Sequence, residues 1–315
     1  MEWEEFWNNL LKTNAGKKII EMNEVDSKNG NLFQMEKICH NIYDDYNKIE
    51  VDLKETEKAI LDYLVKSLPG IHLHTSRIKS TESLIEKIIT KRYLHMFDDE
   101  SGYAKINVDT YKNIVTDLVG LRIIINYRGH WQEMHRLILE KFPYDTTQEY
   151  KEGVLIPIIK EKNIQAEIPK VYYAFGDDIS EYIQQGLIAK QHTMNYRSIH
   201  YTVTYNGFYV EIQMRTIYDE AWSDCNHNYV YKKTDNKSHD ALEKLSTILS
   251  KLTNLSNDIG EKMKEIYDGQ LLVNEKGGWS CPKELANELN EISKRMEDID
   301  EEIKLFKQKI IIKEM

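Results

Sequence analysis

Residues 198–215 read Ser-Ile-His-Tyr-Thr-Val-Thr-Tyr-Asn-Gly-Phe-Tyr-Val-Glu-Ile-Gln-Met-Arg. Two alternating runs flank Asn206-Gly207, a pair favoured in two-residue type I′ turns because both positions need positive φ. The turn predicts an antiparallel hairpin and its register: Tyr205 opposite Phe208, Val203 opposite Val210, Thr202 opposite Glu211 and His200 opposite Gln213. Opposed residues share a face of the sheet. One face then carries Ile199, Tyr201, Val203, Tyr205, Phe208, Val210, Ile212 and Met214, and is a core face. The other carries Ser198, His200, Thr202, Thr204, Tyr209, Glu211, Gln213 and Arg215. Such a face could be the wet side of an antiparallel sheet. An imidazole, a carboxylate, an amide and a guanidinium in adjacent positions are also a set able to do chemistry.

Working outward, Gly120–Asn126 is a short apolar, β-branched run that reads as a buried strand. Asp117 lies just before it and Arg122 within it. Alone, Asp117 is an ordinary turn or cap residue. Paired with Glu211 on a neighbouring strand it could hold magnesium, which takes one or two carboxylates together with nucleotide phosphates and water. Ile71–Lys79 reads as extended, so Arg77 and Lys79 project to one side. Two converging cations suit a polyphosphate, and a solvated basic pair is the plainer alternative. Ser80 begins a helix running to about Met96, in which Ser83 and Glu86 have capping-box spacing. Trp131–Lys141 is an amphipathic helix. Val154–Ile159 and Val171–Phe175 are strand candidates, and Gly176–Leu187 is a loop followed by a short helix.

Residues 1–68 form an N-terminal helical region, broken near Asp26–Asn31 and closed by the turn signal Pro69-Gly70. Residues 69–235 form the core, and residues 236–315 a helical extension interrupted at Asn274–Pro282. Leu285, Leu289, Ile292, Met296, Ile299, Ile303, Phe306 and Ile310 alternate steps of four and three, a heptad seam. Leu242, Leu245, Leu249 and Leu252 follow similar spacing, so the extension is either a helical hairpin or an intermolecular coiled coil that would make a homo-oligomer.

The 315 residues are 41% hydrophobic and 30% charged with only five prolines, the composition of a helix-rich globular protein able to bury a sizeable core. A formal charge of −10 argues against broad DNA binding and against anionic membranes. Cys39, Cys225 and Cys281 are far apart and form no metal or disulfide pattern. No apolar run approaches a membrane span and no basic, apolar leader opens the chain, so the expected location is cytoplasmic. GxxxxGK[ST], GxGxxG after a strand, HExxH and GxSxG are all missing.

Four segments together carry a resemblance: Ser76-Arg-Ile-Lys-Ser-Thr-Glu-Ser-Leu-Ile-Glu-Lys87, Thr116-Asp-Leu-Val-Gly-Leu-Arg122, Asn195-Tyr-Arg-Ser-Ile-His-Tyr201 and Glu211-Ile-Gln-Met-Arg-Thr216. With Ala221-Trp-Ser after them, in this order, they resemble the RelA/SpoT synthetase family over roughly residues 40–235. The resemblance implies an α+β fold, a mixed sheet of about five strands flanked by helices, related to nucleotidyltransferases. It implies transfer of the β,γ-pyrophosphate of ATP to the 3′-hydroxyl of GTP or GDP, giving (p)ppGpp, with Mg2+ on Asp117 and Glu211. Arg77, Lys79, Asp117 and Glu211 would be catalytic. Arg77, Lys79, Ser83, Lys87, Arg122 and Arg215 would meet ATP, with Arg77 and Arg122 around the adenine. Lys190, Tyr196, Arg197, His200 and Gln213 would meet the acceptor, with Tyr196 stacked on guanine.

Two relatives of that reading keep the fold and change the outcome: a toxin acting on tRNA 3′ ends or adenosine nucleotides, and a weak nucleotide sensor. The chain departs from the family at Asn195, where Gly is usual, and at Asn226, where an acid usually precedes the His. The resemblance is to a stand-alone synthetase, for which neither a hydrolase domain upstream nor a long regulatory region downstream is expected.

Overall fold

The computed structural model describes residues 2–28, 35–68, 70–98, 100–159, 161–231, 239–267, 272–273, 279–280 and 283–314. Three helices come first: α1 (Trp3–Leu10), α2 (Asn14–Lys28) and α3 (Met35–Leu64). Then follow β1 (Ile71–Ile78), α4 (Thr81–Leu94), α5 (Tyr111–Ile114), β2 (Val119–Ile125), α6 (Trp131–Lys141), β3 (Lys170–Tyr173), α7 (Ser180–Gln184) and β4 (Ile188–Gln191). The hairpin strands are β5 (Ser198–Tyr205) and β6 (Phe208–Thr216), and α8 (Ile217–Asn226) continues directly from them. α9 (His239–Glu265) and α10 (Lys283–Glu314) form the C-terminal extension, joined through the two-residue strands β7 (Leu272–Val273) and β8 (Trp279–Ser280).

Six strands make one mixed sheet in the order β1-β2-β6-β5-β3-β4. β2 and β6 are parallel, β3 and β4 are parallel, and the remaining pairs are antiparallel. The hairpin has the predicted register, with Asn206 at φ 49° and Gly207 at φ 80° in the turn. Its apolar face lies in the main core against α3, α4 and α6; Tyr201, Val203, Val210 and Ile212 are fully buried there.

The sheet has one strand more than expected. β4 is four residues of mixed polarity on an edge, too short and too little buried for its spacing to announce a strand. Val154–Ile159 is not a strand. It lies over the hairpin, where Ile156 N–H donates to Ala166 O and Tyr209 O–H donates to Ile156 O. β3 stops at Tyr173, and Phe175 lies in the following loop, largely in solvent. The cap of α4 is Ser80, whose hydroxyl accepts from Ser83 N–H, so the Ser83–Glu86 spacing lies within the helix. α2 continues through Asp26 to Lys28, and the rest of the expected break, residues 29–31, and Pro69 lie outside the described residues.

α9 and α10 pack on each other within the chain through Ile248, Leu255, Ile292 and Ile299; only the last two lie on a predicted seam, and Leu245 and Leu252 of the α9 spacing are exposed. Leu289, Met296 and Ile303 of the α10 seam remain exposed. Cys39 is buried and Cys225 exposed, both as free thiols; Cys281 lies outside the described residues. Among the described residues no helix is long and apolar enough to cross a membrane.

Candidate active site

Cross-strand rows explain how distant sequence motifs meet. Arg77 on β1 pairs with Gly120 on β2, Gly120 with Glu211 on β6, and Glu211 with Thr202 on β5. The next row runs Thr75, Arg122, Gln213, His200 and Lys170. The third places Ile124 beside Arg215, and Ser198 beside Tyr172, which pairs with Lys190 on β4. Directly opposed residues share a face. Arg77, Arg122, Glu211, Gln213, His200, Arg215 and Lys190 therefore belong to one surface of the sheet.

Lys79 follows β1, and its N–H donates to Leu118 O at 2.9 Å, extending the ladder by one bond. Tyr46 O–H of α3 donates to Lys79 O at 2.6 Å. This fixes Lys79 beside Asp117, whose Oδ2 accepts from Lys79 Nζ at 2.7 Å and whose Oδ1 accepts from Lys87 Nζ of α4 at 2.7 Å. Burial works against the charge on Asp117, but Lys87 and Lys79 outweigh it and hold the carboxyl below its usual range. Burial also lowers the Lys79 ammonium, against the pull of Asp117. Arg77 and Ser83 are exposed.

Along β6, Glu211, Gln213 and Arg215 occupy alternate positions, so period-two geometry puts them in line. Gln213 Nε2 donates to Glu211 Oε2 at 2.7 Å, and Arg215 Nη2 donates to Gln213 Oε1 at 2.6 Å. His200 Nδ1 lies 3.4 Å from Glu211 Oε1. Burial opposes ionisation of Glu211, yet hydrogen bonding and charge from His200, with Gln213 and Lys87, hold its carboxyl down at about 2. His200 Nε2 is 2.9 Å from Tyr196 Oη.

Tyr196 sits among aromatic rings, with Tyr172 at 5.7 Å, His192 at 5.3 Å and His200 at 5.8 Å between centroids. The Arg215 guanidinium lies 4.8 Å from its ring centre. Asn195 precedes it at φ 58°, so the side chain standing where Gly is usual takes the left-handed conformation.

Other predicted residues are paired within the protein. Arg197 donates from Nε and Nη2 to Asp177 at 2.7 and 2.9 Å, and from Nη1 to Ser250 of α9 at 3.0 Å. Lys190 pairs with Glu152. Arg122 pairs with Glu220 in the first turn of α8, and Glu220 also accepts from Arg215 at 2.8 Å. Glu220, Tyr172 and His192 are the site neighbours that sequence reasoning missed. An acid in a helix's first turn reads as dipole compensation, and the two aromatics lie outside any motif.

A cavity of about 580 Å³ opens at the other end of the sheet, between Arg128, Tyr182 and helices α9 and α10; it meets the predicted set only at Arg197 and Arg215. Among the described residues no group of three or more His, Cys, Asp or Glu side chains could hold a metal by itself.

The region found in RelA / SpoT proteins matches residues 76–236, just over half of the chain. No curated protein matches. Solved structures with some likeness include a GTP pyrophosphokinase family protein from Streptococcus pneumoniae, 19% identical, covering 73% of this chain and 93% of its own, at TM-score 0.39. Small alarmone synthetase 1 from Bacillus subtilis, bound to its product pppGpp, is 20% identical and covers 74% and 99% at TM-score 0.38. Small alarmone synthetase 2 from the same organism is 19% identical and covers 70% and 94% at TM-score 0.37. These likenesses are remote, and the family assignment stands on the sequence match.

Proposed function

Because the chain belongs to the RelA/SpoT family, we propose that it is a pyrophosphokinase moving the β,γ-pyrophosphate of ATP to the 3′-hydroxyl of GTP or GDP. The observation that supports this most is the convergence of Arg77, Arg122, Glu211, Gln213 and His200 on one sheet face, with Asp117 and two lysines at its edge. In this reading the 3′-oxygen attacks the β-phosphorus, the bond to the α,β-bridging oxygen breaks, and AMP leaves. Glu211, on the same face and beside His200, takes the hydroxyl proton. Arg77, exposed beside the two lysines, receives the polyphosphate and, with Arg122, brackets the adenine. Lys79 and Lys87 offer fixed positive charge where the leaving AMP gains negative charge. Tyr196 and its aromatic neighbours receive guanine, and His200 with Gln213 orients the acceptor ribose.

The donor set fits magnesium. Asp117 and Glu211 supply the carboxylate oxygens that magnesium takes alongside phosphates, and on Asp117 the ion would replace Lys79 and Lys87 as partner. When bound, magnesium would neutralise polyphosphate charge and lower the acidity barrier of the acceptor hydroxyl.

The test uses ATP labelled at the γ-phosphate with magnesium and GTP, GDP, an adenosine nucleotide or tRNA in separate tubes. Label on GTP or GDP is the expected result. Label on tRNA or on the adenosine nucleotide alone reassigns the acceptor, and transfer to none overturns the enzyme reading.

A further inference from the structure

Arg215 has five N–H donors and no acceptor, and every donor direction is met by the protein. Nε donates to Ser198 Oγ at 3.4 Å. Nη1 donates to Glu220 Oε2 at 2.8 Å and Ser223 Oγ at 2.9 Å. Nη2 donates to Tyr196 Oη at 2.5 Å and Gln213 Oε1 at 2.6 Å. The side chain is buried and, although it lines the cavity beside Arg128, it has no donor to spare for a phosphate. The resemblance assigns Arg215 to ATP; the geometry points elsewhere.

We propose that Arg215 is a positioning residue that orients Gln213 and Tyr196 for the transfer without touching either nucleotide, and that Glu220 ties this unit to Arg122. The inference rests on the synthetase reading above. Two hydrogen-bonded arms leave Arg215 and converge on Glu211. One runs through the Gln213 amide. Because Arg215 can only donate, the amide oxygen faces the guanidinium and its nitrogen the carboxylate, which fixes that side chain's orientation. The other arm runs through Tyr196 and His200. The Tyr196 hydroxyl accepts from Arg215 and lies 2.9 Å from His200 Nε2, and His200 Nδ1 in turn lies 3.4 Å from Glu211 Oε1. Along the amide arm the order of donors is therefore set from the guanidinium outward. Glu220 uses its two carboxylate oxygens separately, one for Arg215 and one for Arg122. One helix-borne carboxylate thus holds a β2 guanidinium on the ATP side and a β6 guanidinium on the acceptor side at a fixed separation.

The experiment compares wild type with Arg215→Lys and Glu220→Gln, each first checked for folding by thermal melting. Affinity for a non-hydrolysable ATP analogue is measured by calorimetry with magnesium, turnover by label transfer, and exchange of the Gln213 side-chain amide by NMR. In Arg215→Lys, ATP-analogue affinity should stay within about twofold while kcat falls about 100-fold or more, and the Gln213 amide should exchange faster. In Glu220→Gln, the KM for ATP should rise several-fold as Arg122 loses its anchor, with a smaller loss in kcat. A tenfold loss of ATP-analogue affinity in Arg215→Lys with kcat preserved would overturn the proposal, since Arg215 would then bind ATP. If wild type transfers label to no guanosine nucleotide, the synthetase reading fails by itself. Gln213 amide exchange still decides the positioning role, and an unchanged rate in Arg215→Lys sinks it.

Discussion

The polar face of the β5–β6 hairpin has two ends built from the same alternation but used differently. Toward the turn, Thr202, Thr204 and Tyr209 are buried beneath the segment around residues 156–167. Thr204 Oγ1 donates to Lys162 O and Tyr209 O–H to Ile156 O, both at 2.8 Å, while Thr202 Oγ1 donates to Glu167 at 2.6 Å. Away from the turn, His200, Glu211 and Gln213 are only partly covered and bond chiefly to one another. Polar groups satisfied by a covering backbone hold a fold together. Polar groups that satisfy one another beside open space leave lone pairs and donors that a ligand can reach. Alternation does not distinguish the two ends; the partner of each polar atom does.

The sharpest way to break this comparison is to exchange one atom at the open end. Glu211→Gln should cut label transfer by roughly a thousandfold while leaving the melting temperature nearly unchanged; a large stability loss with activity retained would make the open end structural. At the covered end, Tyr209→Phe should do the reverse. Losing the bond to Ile156 O should cost about 1–2 kcal/mol in denaturant unfolding, with transfer kinetics within about twofold of wild type.

The third and smallest effect concerns pH. Asp145, which bonds Lys162 and Thr147, anchors the covering segment, and those bonds hold its carboxyl down at about 2 against a usual 3.8. A carboxyl whose folded pKa is depressed contributes stability that is complete above the unfolded value and fades as pH falls through the folded one. Between pH 4 and pH 2 the wild-type melting temperature should therefore fall by a few degrees more than that of Asp145→Asn, and parallel curves would remove the anchor.

Several of these features were legible in the chain itself. Asn206-Gly207 sets a turn that only left-handed-tolerant residues make easily, so the register of β5 against β6 follows from local geometry. Helix α6 matches its predicted span because its apolar period and its neighbours are local signals. Asp117 beside Lys79 was half legible: each was singled out, but their pairing depends on β1 lying antiparallel to β2. β4 was not legible, since a four-residue edge strand takes its identity from the strand it joins. The same holds for residues 154–159, whose β-branched run covers a sheet and adds no strand to it.

Periodicity, turn chemistry and motif order, all properties of neighbouring residues, determined the family, the hairpin and the chemical set on its polar face. Tertiary structure alone decided which of those polar residues face a ligand and which face protein. Arg215 and Arg197 look as available as Arg77 in sequence, yet they are enclosed by Glu220, Ser223, Asp177 and Ser250, brought from other elements. A side chain's donors are counted from its own formula, but what accepts them is set by the surfaces that packing brings alongside.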